Sequence, residues 1–262
     1  MRGSNAVAVD IPDPFDRIKG AAGAFKQRLT LLRTTTTLPD GRQWFPYDSL
    51  GNVWSFDQML TGANRHVFSD LAGKAIADIG AADGDLGFLL ESLGADVDII
   101  DNPATNMNSL EGASALKRGL NSRARIHNID LDTHFILPGR YDFVLFLGLL
   151  YHLKNPFYAL EHLAHSVSHA FLSTRVMAYS AEVGAHGRTL LKGIPCAYLV
   201  DADESNNDAT NFWMFTEAGL LRLFKRTGWD VLDYKVLGDM ETSDPYTGHG
   251  DRRAFCLLRS SR

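Results

Sequence analysis

A chain of 262 residues, 45% hydrophobic and 22% charged, has the length and composition of one α/β domain with an extension. A net charge of −5 makes no electrostatic case for nucleic acid or an anionic membrane surface. The longest apolar stretch, Phe143–Tyr151, is too short to cross a bilayer, the first residues lack the apolar core of a secretory signal, and two cysteines without metal-ligand spacing fit a reduced, cytoplasmic protein.

Residues 1–10 carry little that would fix them and are expected to be mobile. Phe15, Ile18, Ala22, Phe25, Leu29 and Leu32 then recur at helical spacing, with Asp16, Lys19, Lys26 and Arg33 largely off the stripe. This amphipathic helix can pack on the domain, cover it as a lid or serve as a homodimer contact, and packing is the favoured reading. Thr34–Thr37 and Pro39-Asp40-Gly41 end it, which divides the chain into an arm and helix over 1–43 and a main domain over 44–262. Next comes an aromatic cluster, Trp44-Phe45-Pro46-Tyr47 with Trp54 and Phe56. Such residues wall a pocket as readily as they fill a core, and Tyr47 is a candidate substrate contact. A helix through Phe56, Met59, Leu60, Ala63 and Val67 leads into the first strand.

That strand, Ala75–Ile79, ends at Gly80. Gly84 and Gly87 follow, then a helical pattern through Phe88, Leu89, Leu90 and Leu93, and a second strand, Val97–Ile100, closes on Asp101. A strand, a glycine-rich turn, a helix and a parallel strand place a ligand at the carboxyl end of the first strand. Dinucleotides and S-adenosylmethionine (SAM) both use this unit. A dinucleotide turn wants G-x-G-x-x-G, so that bare amides meet the pyrophosphate; this chain has Ala82 at the second glycine and carboxylates at Asp78, Asp83 and Asp85. Acids that would repel a pyrophosphate suit the ammonium and sulfonium of SAM. Asp101 lies 21 positions after Gly80, where a carboxylate accepts from both ribose hydroxyls of an adenosine.

Beyond Asp101, a helix around Ser109–Leu120 leads into a basic group, Lys117, Arg118, Arg123 and Arg125, that reads as a solvated helix end rather than a phosphate contact. Arg125–Ile129 is the third strand, ending at Asp130, and Tyr141–Gly148 is a fully apolar fourth, as the centre of a doubly covered sheet requires. A helix over Pro156–His169 and a fifth strand, Ala170–Val176, follow. Met177–Asn211 loses all periodicity, contains Gly184, Gly187, Gly193 and Pro195, and reads as a substrate cover. Asp201, Asp203 and Asp208 within it make only a weak case for a divalent cation, so no metal is expected. Thr216–Gly228 is a helix with Thr216 as its N-cap, and Trp229–Lys235 and Arg253–Leu258 are the last strands.

With Asp78-Ile79-Gly80, Asp101, Asp130 and Gly148-Leu149-Leu150-Tyr151-His152 in hand, the chain resembles the class I SAM-dependent methyltransferases. Within them it is similar to the bacterial wobble-uridine tRNA carboxymethyltransferases and their relatives. The likeness runs roughly from Trp44 to Arg259, through Phe45-Pro46-Tyr47-Asp48, Asn155-Pro156-Phe157, Asn211-Phe212-Trp213 and Arg253-Ala254-Phe255. It implies a Rossmann-like α/β fold: seven mostly parallel strands, the last one antiparallel, with helices on both faces and the N-terminal helix as an extension. In that family a tyrosine, an arginine and a lysine hold the extra carboxylate of carboxy-SAM. Tyr151 matches the tyrosine and Arg253 the arginine, but Trp44 and Phe45 stand where the lysine should precede Pro46. One charge-assisted contact is thereby lost, and ordinary SAM is the expected donor.

The expected reaction is methyl transfer from SAM to an oxygen or nitrogen of a small molecule. Asp78 and Gly80 hold the methionine part, Asp101 the ribose, and Ile129 and Asp130 the adenine edge; Ala81, Gly84, Asn102 and Leu147 complete the cofactor set. Tyr151 and His152 end the fourth strand, facing the transferred methyl, with His152 as candidate general base. Tyr47, Tyr151 and Arg253 are candidate acceptor contacts, Arg253 for a carboxylate. A tRNA-modifying enzyme and a non-catalytic partner subunit of the same fold are the alternatives.

Overall fold

The computed structural model describes residues 13–181, 187–205, 207–238, 243–245 and 252–262; the expectation for residues 1–10, and Gly184 of the proposed cover, lie outside them. The apolar stripe forms α1 (Pro14–Thr35), opened by the Asp13 carboxylate, which accepts from the Phe15 N–H at 2.9 Å. Phe15, Ala22 and Leu29 on that stripe are fully buried and join the main core. The next helix, α2 (Asn52–Met59), is shorter than its spacing predicts. Leu60 turns extended, and a short 3-10 turn, Gly62–His66, replaces the expected continuation. The cause is distant in sequence. Asp233 accepts from Thr61 N–H (3.2 Å), Thr61 Oγ1 (2.6 Å) and Asn64 Nδ2 (2.8 Å), and this draws the backbone off the helical path.

Five strands and three helices follow: β1 (Ala75–Ile79), α3 (Asp85–Ser92), β2 (Asp96–Asp101), α4 (Glu111–Leu120), β3 (Arg125–Asn128), β4 (Tyr141–Leu147), α5 (Pro156–Leu163) and β5 (Val167–Met177). The chain ends with β6 (Ala197–Leu199), β7 (Trp213–Thr216), α6 (Glu217–Arg226), β8 (Trp229–Leu237) and β9 (Arg253–Ser260). The helix expected over Pro156–His169 stops at Leu163, because Val167 and His169 already pair with Tyr141 and Phe143 of β4. The sheet runs β3-β2-β1-β4-β5-β9-β8, with β9 antiparallel to both neighbours. These are the seven strands that the resemblance implies. Among the described residues β6 and β7 make nine: β7 lies parallel to the last two residues of β5, and β6 pairs antiparallel with β7.

Period-two alternation sends each strand's side chains to two cores. On one face Ile76, Val97, Ile99, Phe143, Leu145, Phe171 and Phe255 pack under α1, α2 and α3. There the rings of Phe56, Phe68 and Phe171 pack together at centroid separations of 4.9–5.8 Å. On the other face Ala77, Ile79, Ile100, Val144, Phe146 and Leu172 meet α5 and α6. Arg125, exposed on β3, pairs with Asp96 (2.9 Å) and Asp98 (2.5 Å) on β2. Among the described residues no helix is long and apolar enough to cross a membrane.

Because α1 supplies fully buried side chains to the main core, it should unfold with the rest. Leu29→Ala is expected to cost about 2–5 kcal/mol, read as a shifted midpoint in a single denaturant transition. A cost under about 0.5 kcal/mol, in the range of surface substitutions, would mean that α1 is not part of that unit.

Candidate active site

The β1–α3 turn is shaped by backbone in the left-handed region. Gly80 (φ 69°) and Gly84 (φ 82°) adopt it, and a Cβ at either would lie 2.8 Å from Leu149 or Ile99 respectively. Ala82 takes the same region (φ 55°) without being glycine, at a cost on the order of 1–3 kcal/mol. Its surroundings hold it there: its N–H donates to Asp101 Oδ2 (3.1 Å), and its carbonyl accepts from Asn106 Nδ2 (3.3 Å). Asp101 also accepts from Asn106 Nδ2 (2.9 Å) and from the Asn102 N–H (2.8 Å). Burial lifts the Asp101 carboxyl above its ordinary range, against the pull of these bonds.

Asp78, behind the turn, accepts from the Gly87 N–H at 2.9 Å. Burial raises it to about 7; the Gly87 bond opposes this, and the charges of Asp101 and Asp85 add to it. The other two acids of the turn point elsewhere. Asp83 and Asp85 are both gripped by Arg33 of α1, at 3.0 and 2.7 Å, and Asp83 also accepts from the Phe45 N–H (3.0 Å) and Asn108 Nδ2 (2.8 Å). The expectation that all three carboxylates face the ligand is thus corrected: two share one arginine, and Asp78 and Asp101 remain. Ile129 joins this half, donating its N–H to the Asp101 carbonyl (3.0 Å), and the half-buried Asp130 follows, accepting from the Asp132 N–H (2.9 Å).

The second half lies at the end of β4. Past Leu147, Gly148 donates its N–H to the Ser173 carbonyl and hydroxyl (2.9 and 3.0 Å), and Leu149 leans back over Gly80. Tyr151 is buried, with its hydroxyl accepting from Arg253 Nη1 at 3.3 Å and the guanidinium 5.6 Å over its ring. His152 follows, its ring centroid 4.3 Å from that of Tyr151 and its Nδ1 3.0 Å from the Thr210 carbonyl. Burial lowers its pKa, helped by the charges of Arg253 and Arg175; the Thr210 carbonyl and Asp208 work the other way. The predicted residues therefore gather in two adjoining groups. Tyr47 belongs to neither: it is 73% exposed and lines a cavity of about 280 Å³ with Lys26, Arg33, Asp48 and Asp85.

No protein-family model matches the sequence, and no curated protein is significantly similar to it. Solved structures do resemble it. The N-terminal domain of EvdMO1 with SAH bound aligns with 92% of this chain and 97% of its own, at 16% identity and a TM-score of 0.51. A SAM-dependent methyltransferase from Mesorhizobium loti aligns with 72% of this chain and 92% of its own, at 16% identity and a TM-score of 0.50. The fold is that of the class I SAM-dependent methyltransferases. The chain spans 58% of the length of TehB from Haemophilus influenzae, which matches 72% of it at 17% identity and a TM-score of 0.49.

Within this methyltransferase fold, several residues around the site escaped the sequence reading. Arg33 sits on the polar side of the α1 pattern, where an arginine ordinarily faces water. Asn106 and Asn108 brace the turn from the β2–α4 connection, a placement no local spacing announces. Asp208 and Thr210 lie in the stretch read as a cover. Among the described residues no three His, Cys, Asp or Glu side chains are grouped as a metal site requires.

The raised pKa of Asp78 has a testable consequence. Unfolded, the group ionises near its ordinary 3.8; folded, it keeps its proton to about 7. The folded state binds the extra proton in between, so the ligand-free protein loses stability as pH rises across that window. Asp78→Asn, which keeps an oxygen for the Gly87 N–H, should flatten that slope and exceed the wild type above it by up to about 4 kcal/mol. Denaturation midpoints measured across the window check this, and an unchanged slope in the variant would assign it to other groups.

Proposed function

We propose that the protein is a SAM-dependent methyltransferase that moves a methyl group to an oxygen or nitrogen of a small-molecule acceptor. The observation that carries this reading is how the turn spends its hydrogen bonds. The N–H groups of Gly80, Ala82, Gly84 and Gly87 go to Ile100 O, Asp101 Oδ2, Ala81 O and Asp78 Oδ2. A pyrophosphate needs such donors, and here they are consumed by the protein beside two carboxylates. A cationic nucleoside needs acceptors, and Asp78 and Asp101 offer them.

On this reading Asp78 and Gly80 hold the methionine end, with Ala81, Gly84 and Leu147 around it. Asp78 gives up its proton to face the ammonium. Asp101 takes the ribose: Oδ2 already accepts two bonds and Oδ1 one, which leaves Oδ1 a lone pair for a hydroxyl. Asn102, Ile129 and Asp130 border the adenine. When bound, SAM supplies a sulfonium-activated methyl group, so alignment and exclusion of water are the main tasks left to the protein. Tyr151 and Arg253 wall the acceptor side, and a carboxylate on the acceptor would suit Arg253. His152 serves as general base; its lowered pKa keeps it unprotonated at neutral pH. Tyr47, beside Arg33, is an acceptor contact only for a molecule that extends toward α1.

The finer likeness, to the wobble-uridine tRNA carboxymethyltransferases, draws on the Tyr151–Arg253 contact. The family's lysine has no counterpart: Trp44 lies under Arg33 (5.5 Å) and Phe45 is tied to Asp83. Ordinary SAM is the donor we propose, and a small molecule rather than tRNA the acceptor.

Calorimetry with S-adenosylhomocysteine (SAH) tests the cofactor assignment. The wild type should bind, and Asp101→Ala should bind roughly 10–100-fold more weakly, as the loss of a charged hydrogen-bond acceptor implies. Equal affinity in the variant, or NADH binding in its place, would overturn the reading. Mass spectrometry of ligand retained through purification should find SAM or SAH; carboxy-SAM would overturn the choice of donor.

A further inference from the structure

We infer that Asp208 and Thr210 are positioning residues that hold His152 as the Nδ1-protonated tautomer and so present Nε2 as the proton acceptor. The inference deepens the reading of His152 as the base for methyl transfer and rests on it for its catalytic meaning. The lone pairs decide the tautomer. Nδ1 lies 3.0 Å from the Thr210 carbonyl oxygen, which can only accept, so Nδ1 must carry the proton. Thr210 Oγ1 is also 3.0 Å from Nδ1, and its own proton goes to Asp208 Oδ1 at 2.6 Å, which leaves the hydroxyl oxygen free to share the imidazole N–H. Asp208 Oδ1 takes the Thr210 backbone N–H as well (3.0 Å), which fixes the carbonyl that orients the ring.

The segment is clamped to the site just past this contact and braced internally. The Phe212 N–H donates to the Tyr151 carbonyl (2.8 Å), the Asn211 N–H to the Asp208 carbonyl (3.0 Å), and Trp213 Nε1 to the Lys154 carbonyl (3.4 Å). The charged groups acting on His152 are Asp208 from this segment, Arg253 from β9 and Arg175 from β5, with the Tyr151 ring packed alongside. For a hydroxyl acceptor the O–H proton passes to Nε2 as the oxygen bonds the methyl carbon. The S–CH₃ bond breaks with its electron pair left on sulfur, and His152 then returns the proton to water.

Nitrogen-15 NMR of the histidine rings tests this, with His152→Gln identifying the signal among nine histidines. The wild type should show a protonated Nδ1, a bare Nε2 at neutral pH and a titration lowered from the ordinary histidine value. Asp208→Ala should lose the Nδ1–H preference and titrate lower still, because a negative charge that favours the imidazolium is gone. Thr210→Ser, which keeps the hydroxyl, should behave as the wild type. An Nε2–H tautomer in the wild type overturns the inference, and so does an Asp208→Ala spectrum with unchanged tautomer and titration. If Asp208→Ala does not fold, the wild-type tautomer still decides. The spectrum needs neither cofactor nor acceptor, so it can fail while SAH binding stands, and the reverse.

Discussion

Asp83 carries a carboxylate almost entirely out of water, its side chain 1% exposed, and pieces of chain from three other places must converge on it to make that tolerable. Arg33 arrives from α1, the Phe45 N–H from the segment after it, and Asn108 from the connection between β2 and α4. A buried charge left without such partners costs on the order of 3–5 kcal/mol. The turn's shape in the folded protein therefore depends on contacts from α1 and from the β2–α4 connection. That makes the N-terminal helix a structural condition of the β1–α3 turn, because the guanidinium that pairs with two of the turn's acids belongs to that helix.

The same pairing sorts the acids by function. Were Asp83 and Asp85 unpaired, four carboxylates would crowd one bend and raise one another's pKa. With Arg33 satisfying two of them, the two that remain are those at the ends of the parallel strands, where a nucleoside lies across the sheet. Asp78 still feels Asp85 and Asp101 and is held partly protonated near neutrality, so a cation entering the site would displace a proton rather than meet a preformed charge. The proposed preference for a cation over an anion rests on this contrast: Asp78 and Asp101 remain as acceptors, while the N–H groups of Gly80, Ala82, Gly84 and Gly87 are bonded within the protein.

What could be read from residues alone follows from range. The β4 run, the Thr216 cap, which accepts from the Gly219 N–H at 3.0 Å, and the α1 stripe are set by neighbours in sequence, and all three stand where their patterns place them. The break after Met59 is set by Asp233 on β8, and the early end of α5 by register with β4; neither has a local signature. β6 and β7 are three and four residues long, too short to show a period, and they exist because β7 finds the last two residues of β5. Within the site, Gly80, Asp78 and Asp101 announce themselves by motif spacing. Arg33, Asn106 and Asn108 do not, since their role is to satisfy groups that the motif buries, and that demand arises only once the fold brings them together.

Beyond the pairing of β1 with β4, Leu149 ties the two halves of the site together. Leu149 fills the space above Gly80 that a side chain would occupy, and its carbonyl accepts from the His152 N–H at 2.9 Å. Its position is fixed in turn by Gly148, whose N–H is shared between the carbonyl and hydroxyl of Ser173 on β5. The distance from the cofactor turn to the imidazole is therefore set by backbone anchored in the centre of the sheet rather than by a loop. The methyl transfer proposed for this site would demand alignment of donor, carbon and acceptor within a fraction of an ångström, and side chains on rigid elements supply that better than mobile ones. The segment that carries Thr210 only has to orient the ring. The sheet has already placed it.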